Sequence, residues 1–284
     1  MRRVLIDNQL QKEFEEKGYV KIQLFSKDEI NEFLSIHQSL HPDARFNTQE
    51  KNVKYHFSFL DTNLDYKQNV FNILSEKFQP KLDSVLDNYE PLVINFVQKE
   101  PGLGEVPVHQ NWNFVDETKY TSVSVWTPLV DVAEINGTLE VIDGTHNTFR
   151  HVLRSPSIPW FFTGYENHLI NNYCKPIEVK AGEVVIFDDS LIHYSKPNRG
   201  TYNRLVIQVI AKPKEVAAKH YYMNKKLFSY ETEEMDVDKN FFLNFQYHLT
   251  EKPNGAIQTQ KINYSKPKIS KSDFDKIMMK LENA

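Results

Sequence analysis

From Leu92 to Lys212 the chain is a succession of short runs rich in valine, isoleucine and aromatic side chains. LVINFVQKE, PVHQNWNFV, SVSVWTPLV, GTLEVID, KPIEVK, GEVVIFD and RLVIQVIAK are such runs. Turn formers punctuate them: Pro101-Gly102, Asn136-Gly137, Asp143-Gly144, Ala181-Gly182 and Asn198-Arg199-Gly200. β-branched and aromatic residues fit a pleated surface, and short strands at this spacing predict an antiparallel sandwich or barrel, not a βαβ sheet. Asn136-Gly137 reads as a tight hairpin turn. The stretch 145–174 breaks the rhythm. It is long, irregular and aromatic, so it is expected to arch over one end of the sandwich as a lid, with Trp160, Phe161, Phe162 and Tyr165 touching substrate.

The flanks read differently. Residues 9–17 form a short charged helix closed by Gly18, and YVKIQLF alternates like a strand. Ser26 with Glu29 makes a capping box that opens the next helix. Residues 43–63 are polar and turn-rich, and a second long helix is expected from about Tyr66 to Leu86. After Lys212 comes a charged extension with a hydrophobic patch, KNFFLNF, and a terminal helix starting at SDFDKIMMK behind a serine cap. The simplest organisation is one domain over 1–284: helical support over 1–91, a β core over 92–212 with the insertion 145–174, and an extension over 213–284.

Composition narrows the functional classes. The net charge is -4 and the charged share 25%, so the basic excess that phosphate backbones attract is missing and no nucleic-acid partner is expected. The aromatic share of 13%, with 19 Phe and 14 Tyr, suits a β-rich core with apolar pockets. One cysteine, Cys174, allows no internal disulfide. No run resembles a secretory leader or a membrane span, so a soluble cytoplasmic protein is the expectation.

Two histidines stand out by context. His109 lies in PVHQNW, read as the start of a strand, and His193 in FDDSLIHYSKPN, read as the end of another. Two imidazoles and a carboxylate on one face of iron(II) leave three positions for an oxidisable co-substrate and dioxygen. Residues i and i+2 of a strand share a face, so a His-x-Asp pair supplies two such ligands from one edge. Arg204 shares a face with Val206 and Gln208 in an otherwise apolar run. A buried guanidinium there calls for an anion, and a dicarboxylate would satisfy it by a bidentate pair. Ser195, two residues past His193, adds a hydroxyl to the same carboxylate.

These blocks, in this order, resemble the phytanoyl-CoA dioxygenase family of iron(II)/2-oxoglutarate oxygenases. The resemblance runs from Phe14 to about Lys212 and rests on FEEKGYVKIQLFSKDEI, VHQNW, VWTPLVDVAEINGTLEVIDGTHN and KAGEVVIFDDSLIHYSKPNRGTYNR. It implies a double-stranded β-helix (jelly-roll, cupin-like) core, mainly β with flanking helices. It also implies iron ligands at His109 and His193, and the distal carboxylate of 2-oxoglutarate at Arg204 and Ser195. Trp126 and Asn95 match positions at the co-substrate pocket. Iron(II), 2-oxoglutarate and dioxygen would be the cofactor and co-substrates, and a small-molecule metabolite the substrate.

The departure is Asn111, where the family has aspartate two residues after the first histidine. A neutral amide oxygen is a weaker donor to iron(II). Asn111 ligates through oxygen, or leaves a position open for halide and hence halogenation, or marks a lost activity, or is an engineered change. Hydroxylation of a C–H bond is the leading expectation, because the rest of the site is retained. A non-catalytic jelly-roll that binds a ligand or partner is the alternative from another class. Asp188 and Asp189 read as cap or turn residues, His146 as structural, and Arg199 as a solvated turn residue.

Overall fold

The protein is described by a computed structural model over residues 1–40, 55–224, 231–245, 252, 257–264 and 268–282. The polar stretch from 43 to 54 lies outside the described residues. The Asp7 carboxylate accepts from the N–H groups of Gln9 and Leu10 and starts α1 (Asn8–Lys17). Gly18 ends it at φ 88°, where a side chain would strike the His146 ring. The chain then enters β1 (Tyr19–Gln23). The Ser26 N–H donates to Glu29 Oε2 at 2.8 Å and the Glu29 N–H to Ser26 Oγ at 3.3 Å, the reciprocal capping expected before α2 (Lys27–Leu40). Strand β2 (His56–Phe57) and a 3-10 turn (Ser58–Leu60) lead to α3 (Leu64–Val85), capped by Asn63.

The β core comprises β3 (Tyr89–Lys99), β4 (Val106–His109), β5 (Val123–Pro128), β6 (Glu140–Val141), β7 (Lys175–Pro176), β8 (Glu183–Asp188), β9 (His193–Ser195) and β10 (Arg204–Pro213). Two antiparallel sheets result, ordered β1-β8-β5-β10-β3-β2 and β4-β9-β6-β7. The strand spacing predicts an antiparallel sandwich or barrel and the family resemblance a double-stranded β-helix; the two sheets form that core, with helices on its outer face.

Side-chain parity divides the larger sheet. Ile94 and Phe96 of β3, Val123 and Val125 of β5, Val184 and Ile186 of β8 and Leu205, Ile207 and Val209 of β10 pack with Phe33, Leu74 and Phe78 of the helices. The opposite parity, Val97, Trp126, Val185, Phe187 and Val206, faces the smaller sheet. Both faces are therefore covered, which is why these strands read as nearly continuous apolar runs instead of alternating.

The stretch 145–174 holds α4 (Thr145–Phe149) and α5 (Glu166–Asn172). The extension forms a third sheet from β11 (Ala218–Met223), β12 (Glu231–Val237) and β13 (Ile257–Asn263), with α6 (Lys239–Leu243) and α7 (Lys271–Glu282). The cap of α7 is Ser270, whose Oγ accepts from the Asp273 N–H at 3.1 Å, two residues earlier than the sequence suggests. Among the described residues, no helix is long and apolar enough to cross a membrane.

Candidate metal centre and its cavity

Strands β4 and β9 pair with Val106 opposite Ser195 and His109 opposite His193. Three steps on β4 match two on β9, so a bulge sits between Val106 and His109 and re-aims the histidine. His109 thus ends its strand and His193 begins its own, the reverse of the sequence reading, although both stand at strand-loop junctions. Their ring centroids are 4.2 Å apart.

Each imidazole is held by its own backbone. His109 Nδ1 lies 2.7 Å from the Pro107 carbonyl oxygen and His193 Nδ1 lies 2.8 Å from that of Leu191. A carbonyl only accepts, so Nδ1 carries the proton and each Nε2 keeps its lone pair. Burial lowers the pKa of both rings, that of His193 well below the ordinary value, with His109 beside it adding to the effect. Both rings are neutral donors at neutral pH.

Asn111 follows two residues after His109. Its Nδ2 donates to Asp189 Oδ1 at 2.8 Å and to Ser124 Oγ at 2.9 Å. Ser124 Oγ itself donates to Asp189 Oδ1 at 2.7 Å and accepts from Gln208 Nε2 at 3.3 Å. With its nitrogen committed to two acceptors, the amide presents Oδ1 to the other side, next to His109. The Asn111 backbone carbonyl accepts from Arg154 Nε at 2.7 Å, and Arg154 forks onto the buried carboxylate of Glu117. Asp189 is fully buried, and burial pushes its carboxyl up to about 6 against the hydrogen bonds from Asn111 and Ser124.

His109, Asn111 and His193 line one cavity of about 470 Å³ together with Trp126, Ser195 and Arg204. The register along β10 sets out its length. Arg204 faces Lys99 of β3, Val206 faces Val97, Gln208 faces Asn95 and Ile210 faces Val93. Six residues of extended chain span about 20 Å. At one end Arg204 is buried, its Nη1 donates to the Gly137 carbonyl at 2.9 Å, and its guanidinium lies 5.6 Å from the Trp126 ring centroid. Its Nε has no hydrogen-bond partner among the described residues. Ser195 Oγ donates to the same Gly137 carbonyl at 2.8 Å. Burial brings Arg204 down to about 9, still charged at neutral pH. The lining toward Val93 and Ile210 is aromatic and carries no charged side chain among the described residues: Phe59, Trp112 and Phe114 join them there, while Phe57, opposite Val97, lines the middle. Phe241 and Phe242 of α6, with Phe245, pack behind that end.

Several features lie outside the sequence reading. Lys99 is fully buried behind Ser195; its Nζ donates to Ser195 Oγ at 2.6 Å and to the carbonyls of Lys196 and Ser195 at 2.7 and 3.1 Å. Burial drives its amine down to about 5, with Arg204 beside it adding to the shift. Asn136-Gly137 is not a hairpin: it closes a 3-10 turn (Glu134–Asn136), with Gly137 at φ 73°. A Cβ on Gly137 would stand 2.3 Å from the Lys196 carbonyl oxygen, so glycine permits the approach that aims its own carbonyl at Ser195 and Arg204. Of the adjacent acids, Asp188 makes the expected turn, accepting from the Ser190 N–H and pairing with Arg150, whereas Asp189 belongs to the site.

Two further expectations are corrected. None of Trp160, Phe161, Phe162 and Tyr165 lines the cavity. They pack on Phe149, Val108 and Ile192 and under Phe274 and Met278 of α7, as a satellite core that the terminal helix covers. Aromatic segments bury as readily against a helix as against a ligand, and here α7 is the partner. Asn95 shares the parity of Val93 and Val97 but does not reach the cavity surface. It is fully buried, with Nδ2 donating to the Gln208 carbonyl at 3.4 Å.

The phytanoyl-CoA dioxygenase (PhyH) family model matches residues 14–206, which include His109, Asn111, His193 and Arg204. "Phytanoyl-CoA dioxygenase 1" of Oryza sativa subsp. japonica is 30% identical over 128 residues, 43% of this chain and 45% of that protein. "Phytanoyl-CoA dioxygenase domain-containing protein 1" of Danio rerio is 30% identical over 139 residues, 45% of this chain and 48% of that one. The matched stretches thus span less than half of either relative's own length. Among solved structures, the non-heme alpha ketoglutarate dependent carbocyclase SnoK superposes with a TM-score of 0.58 at 15% identity, over 76% of this chain and 86% of that chain. HygX from Streptomyces hygroscopicus, with nickel, 2-oxoglutarate and hygromycin B bound, superposes with a TM-score of 0.52 at 13% identity, over 74% and 88%. At such identities the likeness is one of fold. With more than half of its residues matched to the family model, this chain belongs to the phytanoyl-CoA dioxygenase family.

Proposed function

We propose that this protein is an iron(II)/2-oxoglutarate-dependent oxygenase that hydroxylates a C–H bond of a small, largely apolar metabolite. The observation that carries the reading is a single cavity with two neutral imidazoles at mid-length and a buried guanidinium with an unpartnered Nε at one end. The residues present fit the iron centre: His109 and His193 offer Nε2 lone pairs, and Asn111 offers Oδ1 as a neutral third donor. Iron and 2-oxoglutarate, when bound, would supply oxygen activation, with one oxygen atom going to succinate as carbon dioxide leaves and the other to the substrate C–H bond.

The chain's own groups do the positioning. Arg204 takes the distal carboxylate of the diacid, with the Trp126 ring as a wall, and the Ser195 hydroxyl joins it by turning its one proton from the Gly137 carbonyl. The aromatic end of the cavity takes the substrate, because uncharged walls of Phe59, Trp112 and Phe114 reward apolar burial and offer no described charge to pair with an ionic group. HygX, of similar fold, binds nickel and 2-oxoglutarate, and the epimerase SnoN binds Fe3+ and alpha ketoglutarate, in keeping with this assignment.

Calorimetry of 2-oxoglutarate binding tests it, with nickel(II) as a redox-inert stand-in for iron. Binding is expected only with metal present and is expected to weaken about 100-fold in Arg204→Ala, the cost of removing one partner of a buried charge pair. Metal-independent binding, or binding indifferent to Arg204, would contradict the reading.

A further inference from the structure

We propose that Asp189 is a positioning residue of the metal centre: through the Asn111 amide it turns Oδ1 toward the two imidazoles, makes that oxygen a stronger donor, and places one negative charge next to the ligand set. This rests on the oxygenase reading above. An isolated asparagine at a ligand position has two faults. It can flip, presenting nitrogen instead of oxygen, and it leaves the site one charge more positive than a His-x-Asp site.

The hydrogen bonds answer both. A flipped Asn111 would set Oδ1 against Asp189 Oδ1, which now lies 2.8 Å from Nδ2. That contact would exchange a charge-assisted hydrogen bond for lone-pair repulsion. Ser124 reinforces the choice. Its hydroxyl proton goes to Asp189 and it accepts from Gln208, so toward Asn111 it has only a lone pair to offer. The chain Gln208 to Ser124 to Asp189, closed by Asn111, therefore has one consistent direction, and it leaves Oδ1 free.

The charge argument follows from the same bond. An amide whose N–H groups bind a carboxylate shifts electron density onto its oxygen, as a metal-bound imidazole gains basicity from a carboxylate on its far nitrogen. Asp189 is fully buried and does not line the cavity; its Oδ1 takes the hydrogen bonds of Asn111 and Ser124, so it acts on the ligand position through the amide. Its neighbour Asp188 is neutralised by Arg150, and Glu117 by Arg154, so neither supplies this charge.

The test is a four-member cycle read by nickel(II) affinity and by cobalt(II) visible absorption, without co-substrate. Asp189→Asn keeps an acceptor for Asn111 but removes the charge. It is expected to weaken metal binding about 10–100-fold, the usual effect of altering an outer partner of a ligand, and to change the cobalt spectrum although residue 189 touches no metal. The exchanged pair, Asn111→Asp with Asp189→Asn, moves the carboxylate inward and the amide outward at constant charge. It is expected to recover wild-type affinity or better, while Asn111→Asp alone sets two carboxylates face to face and binds metal less tightly than the exchanged pair. Circular dichroism establishes that each variant is folded. Asp189→Asn binding metal as the wild type does, or a folded exchanged pair that fails to recover affinity, would overturn the proposal. A wild type that takes up no metal at all would remove the oxygenase reading and this one with it.

Discussion

Arg204 and Lys99 sit opposite each other on β10 and β3, two basic side chains sealed from solvent at the same end of the core. Lys99 is poised between two states. Burial and the neighbouring guanidinium favour the neutral amine, while three oxygens within 3.1 Å of Nζ match the three protons of an ammonium. A carboxylate arriving at Arg204 tips this balance toward the charged form. Binding of 2-oxoglutarate at neutral pH is therefore expected to take up a fraction of a proton, up to one, and Lys99→Met to abolish the uptake. Calorimetry in buffers of different ionisation enthalpy reads it; equal uptake in the variant would exclude Lys99.

The aromatic end of the cavity predicts a separation of functions. Trp112 lines the cavity and packs against Phe59, Phe114 and Phe245, on the far side of the histidines from Arg204. Trp112→Ala is expected to leave 2-oxoglutarate binding within about twofold while lowering substrate-coupled turnover at least about tenfold. Succinate formed without substrate measures the uncoupled share. Equal loss of both would place Trp112 with the co-substrate instead.

Phe162 distinguishes a core from a lid. It is fully buried and meets Phe149 edge-on at 4.9 Å and Phe274 at 5.3 Å between centroids. Phe162→Ala is expected to cost roughly 3–5 kcal/mol of stability and to leave the affinity for metal and diacid unchanged in the fraction that stays folded. Denaturant unfolding and nickel titration read the two effects separately.

His220 carries part of the acid sensitivity. It is buried among Phe241, Phe245 and Trp112, and burial lowers its pKa from 6.5 to about 4. The unfolded chain accepts a proton near pH 6.5 that the folded chain refuses until about pH 4. Stability is thus complete above 6.5 and falls as the pH drops through that window, by at most roughly 3 kcal/mol from this group. His220→Phe is expected to shrink the difference in melting temperature between pH 7.5 and pH 5. An unchanged difference would assign the acid loss to other groups.

How much of this was legible in the sequence depends on the range of the interaction. The capping box at Ser26 and Glu29, the glycine stop at Gly18 and the strand runs are local patterns, and all appear in the structure. His109, His193, Ser195 and Arg204 were found jointly, through a family pattern, and they do line one cavity. What local pattern cannot carry is the partner. Nothing near Lys99 announces Ser195, 96 residues away, and of the pair Asp188-Asp189 only the strand geometry tells which acid faces Arg150 and which faces Asn111. The aromatic stretch around Phe162 shows the same limit: composition signals burial without naming what does the burying, which here is the terminal helix.

The most direct measurement is an anaerobic titration of the protein with iron(II) and 2-oxoglutarate, followed by visible absorption. A chelate held by His109, Asn111 and His193 predicts a weak charge-transfer band that grows to one equivalent only when both components are present, and that is missing in His193→Ala. A folded wild-type protein that gives no band with both in excess would contradict the account.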